Sequence, residues 1–202
     1  QWTGDAQTRI TAAAKAGGIV ALAHPSWEGN LSTGQWTLPQ MLALGDYQLV
    51  EVYNPHSNWR EDTTRWHELI RRLGPENPVW AIAVDDSHSE ALFNFGWTMV
   101  KTDGISPEAL KDALQRGSFY ATTGPTVIFG AASGVITARV EGDEPAKISF
   151  IAGNGEVVSS VTSMEASYTP KGNEGFVRIE VEAKNGKRAW SQPFWLEAGE
   201  VL

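Results

Sequence analysis

The chain has 202 residues, of which 42% are apolar and 20% charged, enough to bury a genuine core, so intrinsic disorder is excluded as its default state. Sixteen Lys and Arg stand against 24 Asp and Glu, a formal net charge of -8, and no basic cluster interrupts that balance, which argues against nucleic acid as a partner. The absence of cysteine removes disulfides, thiolate metal sites and thiol nucleophiles, and no apolar run approaches the roughly eighteen residues of a membrane span.

In chain order, Asp5 to Ala16 is Ala-rich with helical spacing and stops at Gly17-Gly18, and Ile19 to Ala23 then reads as a short buried strand. Leu38 to Leu44, with Pro39 in its first turn and Gly45 past its end, predicts a second helix before the strand Leu49 to Tyr53. From Trp59 to Leu73 the residues Trp66, Leu69, Ile70 and Leu73 share one helical face, Arg71 and Arg72 sit in the last turn, and Gly74 ends it. On that helix His67 is expected to face solvent. Val79 to Val84 is the third strand and Gly96 to Val100 the fourth. A helix follows, begun by Ser106-Pro107-Glu108 and closed by Gly117, with Ala109, Leu110, Ala113 and Leu114 facing inward. Helices alternating with short apolar strands predict a parallel sheet or part of a barrel.

The pattern changes near Thr123-Gly124-Pro125. Val177, Ile179, Val181 and Ala183 alternate with Arg178, Glu180 and Glu182, and Asn154-Gly155 and Asn185-Gly186 are hairpin turns. The expected organisation is an α/β unit over residues 1–125 and an antiparallel β-sandwich over 126–202. Lys171, Asn173 and Glu174 read as sandwich surface without a ligand signature.

Chemistry is expected where the strands end. The first strand ends in His24-Pro25, the second holds Glu51 among apolar neighbours and runs into Asn54-Pro55-His56, and the third ends in Asp85-Asp86-Ser87-His88. A buried carboxylate must be paired, coordinated or protonated. Residues two apart on an extended chain point the same way, so Asp86 and His88 converge as a two-point metal site. Singly, each motif also fits capping or packing; together, imidazoles and carboxylates without thiolates suit zinc, manganese or iron. Nine Trp fall in the chain, six between residues 27 and 97. Trp27, Trp36 and Trp59 lie in loops after strand ends, where they either stack on a sugar or aryl ligand or simply pack the fold.

Five segments together resemble the polymerase and histidinol phosphatase (PHP) superfamily of metal-dependent phosphoesterases: Ala23-His24-Pro25, Val50 to Asn54, Asp86-Ser87-His88, Ala113 to Tyr120, and Thr123-Gly124-Pro125. The resemblance covers roughly residues 10–126 and is to the later part of that domain, in the branch where a small β-sandwich follows. It implies an α/β fold, part of a distorted (β/α)7 barrel, with two or three divalent metal ions, zinc, manganese or iron. It implies His24, Asp86 and His88 as metal ligands, with Glu51 matching the pattern as a further ligand. Asp86 and His88 are expected to carry catalysis, and Asn54, His56 and Trp27 to meet substrate. The substrate implied is a small-molecule phosphate ester or related ester.

Two departures stand out. The family's Gly-Ser-Asp-x-His is Val84-Asp85-Asp86-Ser87-His88 here, which adds a carboxylate beside the site. The family's opening His-x-His strand has no counterpart before His24. The expectation is that the missing N-terminal half precedes Gln1 in a longer gene product; a second chain supplying it, or a lineage that has lost catalysis and binds a ligand or glycan instead, are the alternatives. The compartment, periplasmic, secreted or cytoplasmic, is left open.

Overall fold

Short parallel strands and long antiparallel ones meet on a shared core in the computed structural model, which describes residues 5–29, 35–197 and 200–201. Gln1 lies outside the described residues. Helix α1 (Ala6–Lys15) begins where the Asp5 carboxylate accepts from the Thr8 N–H at 2.7 Å. Strand β1 (Ala21–Leu22) and helix α2 (Leu38–Ala43) follow, α2 opened by a capping box between Thr37 and Gln40. Strand β2 (Leu49–Tyr53) leads to α3 (Trp59–Leu73), capped by Asn58 and closed by Gly74 at φ 67°. Then come β3 (Trp80–Ala83), a 3-10 turn (Glu90–Leu92), β4 (Trp97–Val100), α4 (Pro107–Gln115) and β5 (Phe119–Thr122).

The remainder is all strand: β6 (Val127–Ala132), β7 (Val135–Val140), β8 (Ala146–Ala152), β9 (Val157–Ser163), β10 (Glu165–Tyr168), β11 (Phe176–Glu182), β12 (Arg188–Trp190), β13 (Phe194–Glu197) and β14 (Glu200–Val201). Both expected hairpin turns are present, Asn154-Gly155 between β8 and β9 and Asn185-Gly186 between β11 and β12.

The molecule is thus mixed α/β, with two antiparallel sheets beside a small parallel one. Strands β1, β2 and β3 are parallel, with Leu22 opposite Val50 and Val50 opposite Ala81. Among the described residues the parallel part stops there, and no barrel closes. Strand β4 does not extend it but pairs antiparallel with β5, and β5 pairs with β12, so this sheet runs across the Thr123-Gly124-Pro125 turn. The outer edge of β3 is instead satisfied by side chains. The Gln192 amide accepts from Ala81 N–H at 2.9 Å and donates to Ala81 C=O at 2.8 Å, and the Thr98 hydroxyl does the same for Ala83 at 3.3 and 3.2 Å. Local sequence cannot show such a cover, because it comes from residues distant along the chain.

Strand β11 is buried on both faces. Val177, Ile179 and Val181 join Ile148, Phe150, Val127, Ile136 and Ala138 in the sandwich core. The opposite face, read from sequence as polar, lies under α3: Phe176 and Trp190 join Trp66, Leu69, Ile70, Val50 and Val52 in the second core. Arg178 is buried there, its guanidinium 5.5 Å from the Trp66 ring centre and 2.6 Å from Glu180.

Three expectations are corrected. His67 does not face solvent; it is buried between α3 and β11. Glu174 is not surface but buried, where it accepts the Tyr168 hydroxyl at 2.6 Å and three backbone N–H groups of residues 171–173. Leu110 is exposed, while Ala113 is buried and Leu114 packs half-buried against the Leu49, Trp80 and Phe119 cluster.

Candidate metal centre

The parallel sheet sets out the site: His24 follows β1, the Asn54 to His56 loop follows β2, and Asp86 to His88 follow β3. Parallel strands share one carboxyl end, so the three loops emerge on the same side. Two of the turns are strained, His24 at φ 32° and Asp86 at φ 47°, values that L-residues seldom adopt. Strand β2 is irregular between Glu51 and Tyr53, where its pairing with β3 slips.

The three loops supply two adjoining groups of side chains. In the first, the buried Glu51 carboxylate uses Oε2 to accept the His24 backbone N–H at 2.6 Å and the Asn54 amide at 3.0 Å. Burial pushes the Glu51 carboxyl up; those two donors pull it down, and the Asp86 charge raises it again. Asn54, only 1% exposed, is the bridge between groups, since its Oδ1 accepts the His56 N–H at 2.9 Å. A role toward substrate would therefore pass through Glu51 and His56. Trp27 is half-buried, its ring edge-on to His24 at 5.1 Å.

The second group is His56, Asp86 and His88, whose ligand atoms all lie within 4.8 Å of one another. A tetrahedral ion with bonds of about 2.1 Å holds its ligand atoms about 3.4 Å apart, so a modest closure of exposed side chains would complete the contact. His88 Nδ1 lies 2.8 Å from the Asp86 carbonyl oxygen. A carbonyl only accepts, so this nitrogen carries the proton, and in the neutral tautomer Nε2 is the lone-pair donor left for an ion. The His56 and His88 rings are 6.1 Å apart. Two imidazoles and one carboxylate form a donor set that fits a divalent metal ion.

Asp85, the added carboxylate, turns away from this group. It accepts the N–H groups of Asn94, Phe95 and Gly96 at 2.6–2.8 Å and so folds the following loop back. Burial alone would raise its carboxyl, and the three donors together outweigh that and hold it low. Gly96 is needed there: a Cβ would stand 2.5 Å from the Tyr53 ring.

Of the residues expected to hold metal, the structure brings Asp86 and His88 into one ligand group and joins them with His56, expected only to meet substrate. His24 and Glu51 form the neighbouring group. Trp36 and Trp59 pack against the α3 core, Trp59 with its ring 6.0 Å from Trp190. Asp62 escaped the sequence reading altogether. It is fully buried in the first turn of α3, its carboxyl raised by burial, with donors from Ser57 and Ser26 and the Arg65 charge opposing. The signal available was a second acid after the Asn58 cap, which reads as ordinary helix-start chemistry. A groove of about 570 Å³ opens elsewhere, bordered by Met99, Ile128, Phe129 and Phe194, and holds none of these residues.

No protein-family model matches the chain, and no curated protein matches it. Among solved structures it is similar to a two-domain protein from Bacteroides vulgatus ATCC 8482 containing a predicted PHP-like metal-dependent phosphoesterase. The identity is 14% and the TM-score 0.48, over 100% of this chain and 67% of that one.

Proposed function

We propose that this chain carries part of the centre of a metal-dependent hydrolase acting on a phosphate ester or related ester. The observation that carries the reading is the convergence of His56, Asp86 and His88 within 4.8 Å at the carboxyl ends of β2 and β3. Asp86 and His88 hold the ion together with His56, and His24 and Glu51 are proposed to complete a second position beside it. The chemistry supplied by a bound divalent ion is activation of water and neutralisation of charge on the departing oxygen.

The chain's own residues prepare that chemistry. The Asp86 carbonyl orients the His88 ring, and Asn54 holds Glu51 and the His56 backbone at once. Trp27 offers an apolar edge to whatever group the ester carries. Zinc, manganese and iron all suit the donors. The alternative, a binding protein on a lapsed scaffold, loses support from Trp36 and Trp59, which serve the core.

The experiment is to load the chain, and its full gene product, with Mn2+ or Zn2+ and to follow hydrolysis of p-nitrophenyl phosphate. Metal binding by the chain and metal-dependent turnover by the gene product are expected, both lost in the Asp86→Ala/His88→Ala double variant. Unchanged metal content and turnover in that variant would overturn the reading.

A further inference from the structure

Resting on the metal-site reading above, the geometry points to Asp62 as a positioning residue that sets the span between the His24 and His56 loops by taking one hydrogen bond from each. Its Oδ1 accepts the Ser26 N–H at 2.8 Å, and its Oδ2 accepts the Ser57 hydroxyl. Ser26 lies two residues after His24 and Ser57 one after His56, so a single rigid carboxylate joins the two loops. The Ser26 hydroxyl adds a second tie, accepting from Asn58 N–H at 2.8 Å and facing the Asn58 carbonyl at 3.2 Å.

The anchor itself is firm. Asp62 N–H donates to Asn58 C=O at 2.9 Å, which places the residue in the first turn of a fifteen-residue helix whose later turns enter the core. One turn on, Arg65 donates to the Pro25 carbonyl and, at 2.8 Å, to the Trp36 carbonyl, holding the same loop from its other side. A carboxylate wholly removed from water is costly unless its hydrogen bonds repay it. A simple helix start has no need of one, because Asn58 already caps α3. What Asp62 adds is a fixed separation between two loops that the sheet alone would leave to their own turns.

The test uses the four histidines of the chain as reporters. Imidazole ε1 signals in 13C–1H spectra of the metal-free protein are compared in wild type, Asp62→Ala, Asp62→Asn, Ser57→Ala and the helix control Leu69→Ala, and Mn2+ affinity is measured on each. In Asp62→Ala the His24 and His56 signals should both move while His67, five residues along the same helix, stays, and Mn2+ should bind about tenfold more weakly. Asp62→Asn should restore both, since its amide oxygen accepts from Ser26 and its nitrogen reaches the Ser57 oxygen. Ser57→Ala, a milder change that decides the matter if Asp62→Ala does not fold, should move His56 alone. Leu69→Ala should lower Tm without moving either signal.

The inference is overturned if His24 and His56 hold their wild-type positions in Asp62→Ala or, should that variant not fold, if His56 holds in Ser57→Ala. It is equally overturned if Asn is as disruptive as Ala, or if Leu69→Ala moves the same signals. If the wild-type protein binds no Mn2+, the metal-site reading fails, while the imidazole signals still decide the role of Asp62.

Discussion

Histidine occurs in two kinds of surroundings in this molecule, and the contrast separates cement from chemistry. At the junction of α3 and β11, His67 has both ring nitrogens occupied: Nδ1 lies 2.9 Å from Arg178 Nε and Nε2 lies 3.2 Å from the Gly153 carbonyl. Arginine can only donate, so His67 Nδ1 accepts, Nε2 carries the proton, and the ring is neutral. Burial, with the Arg178 charge beside it, pushes His67 down to about 4. At the strand ends the rings of His56 and His88 are exposed, and Asp86, its backbone in the left-handed region, joins them in one ligand group. Histidines read alike in sequence, but at the junction both ring nitrogens of His67 are engaged, whereas the open group keeps a lone pair for an ion.

That contrast can be broken or sharpened by four measurements. The largest effect belongs to the closed junction. Arg178→Ala removes the buried guanidinium that donates to His67 and Glu180, leaving Glu180 with Arg188 alone, and urea unfolding should show a loss of about 3 kcal/mol; a loss below about 1 kcal/mol would mean that the junction is not held by these bonds. Next is the open group, where Asp86→Ala/His88→Ala should weaken Mn2+ or Zn2+ binding about 100-fold, as read by equilibrium dialysis, which corresponds to about 2.7 kcal/mol. Stability without metal should stay close to that of wild type. A fold that collapses instead would place these residues among the cement.

The third effect is a dependence on pH. The folded value for His67, about 4, lies below the ordinary 6.5, so as pH falls the unfolded chain takes up the proton first. Its contribution is complete above about pH 6.5 and is progressively lost as pH falls toward 4. His67→Gln preserves one acceptor and one donor but cannot titrate, so the difference between its stability curve and that of wild type isolates this loss. Identical curves would refute the assignment. The smallest effect is a gain: Asp86→Gly relieves the left-handed backbone and should raise stability by about 1 kcal/mol while removing a metal ligand. A loss of stability there would show that the strain has another source.

Much of the local structure was legible. The bounds of β2 and α3 follow from apolar spacing and from caps, and the two Asn-Gly turns follow from their own chemistry. Asp86 and His88 were expected as a pair from the two-residue repeat of an extended chain; they do join one ligand group, but by way of a left-handed backbone at Asp86 rather than an extended run. His56 was placed near the mouth but not within the ligand group, since its loop geometry depends on an amide, Asn54, whose partners sequence does not name. Trp27, Trp36 and Trp59 looked equivalent in sequence; only Trp27 stands beside a site histidine.

Composition, periodicity and capping, all properties of a few adjacent residues, determined the helices, the short strands, the hairpins and the polar residues at the strand ends. The tertiary structure alone decided that β4 and β5 join the antiparallel sheet, that β11 is buried on both faces, and that Asp62 ties two loops. The physical reason is distance along the chain: Arg178 meets His67, and Gln192 covers Ala81, across 111 residues. Burial and hydrogen-bond partners at that range arise from the packing of whole layers, and the same residue types turn outward or inward according to what those layers bring over them.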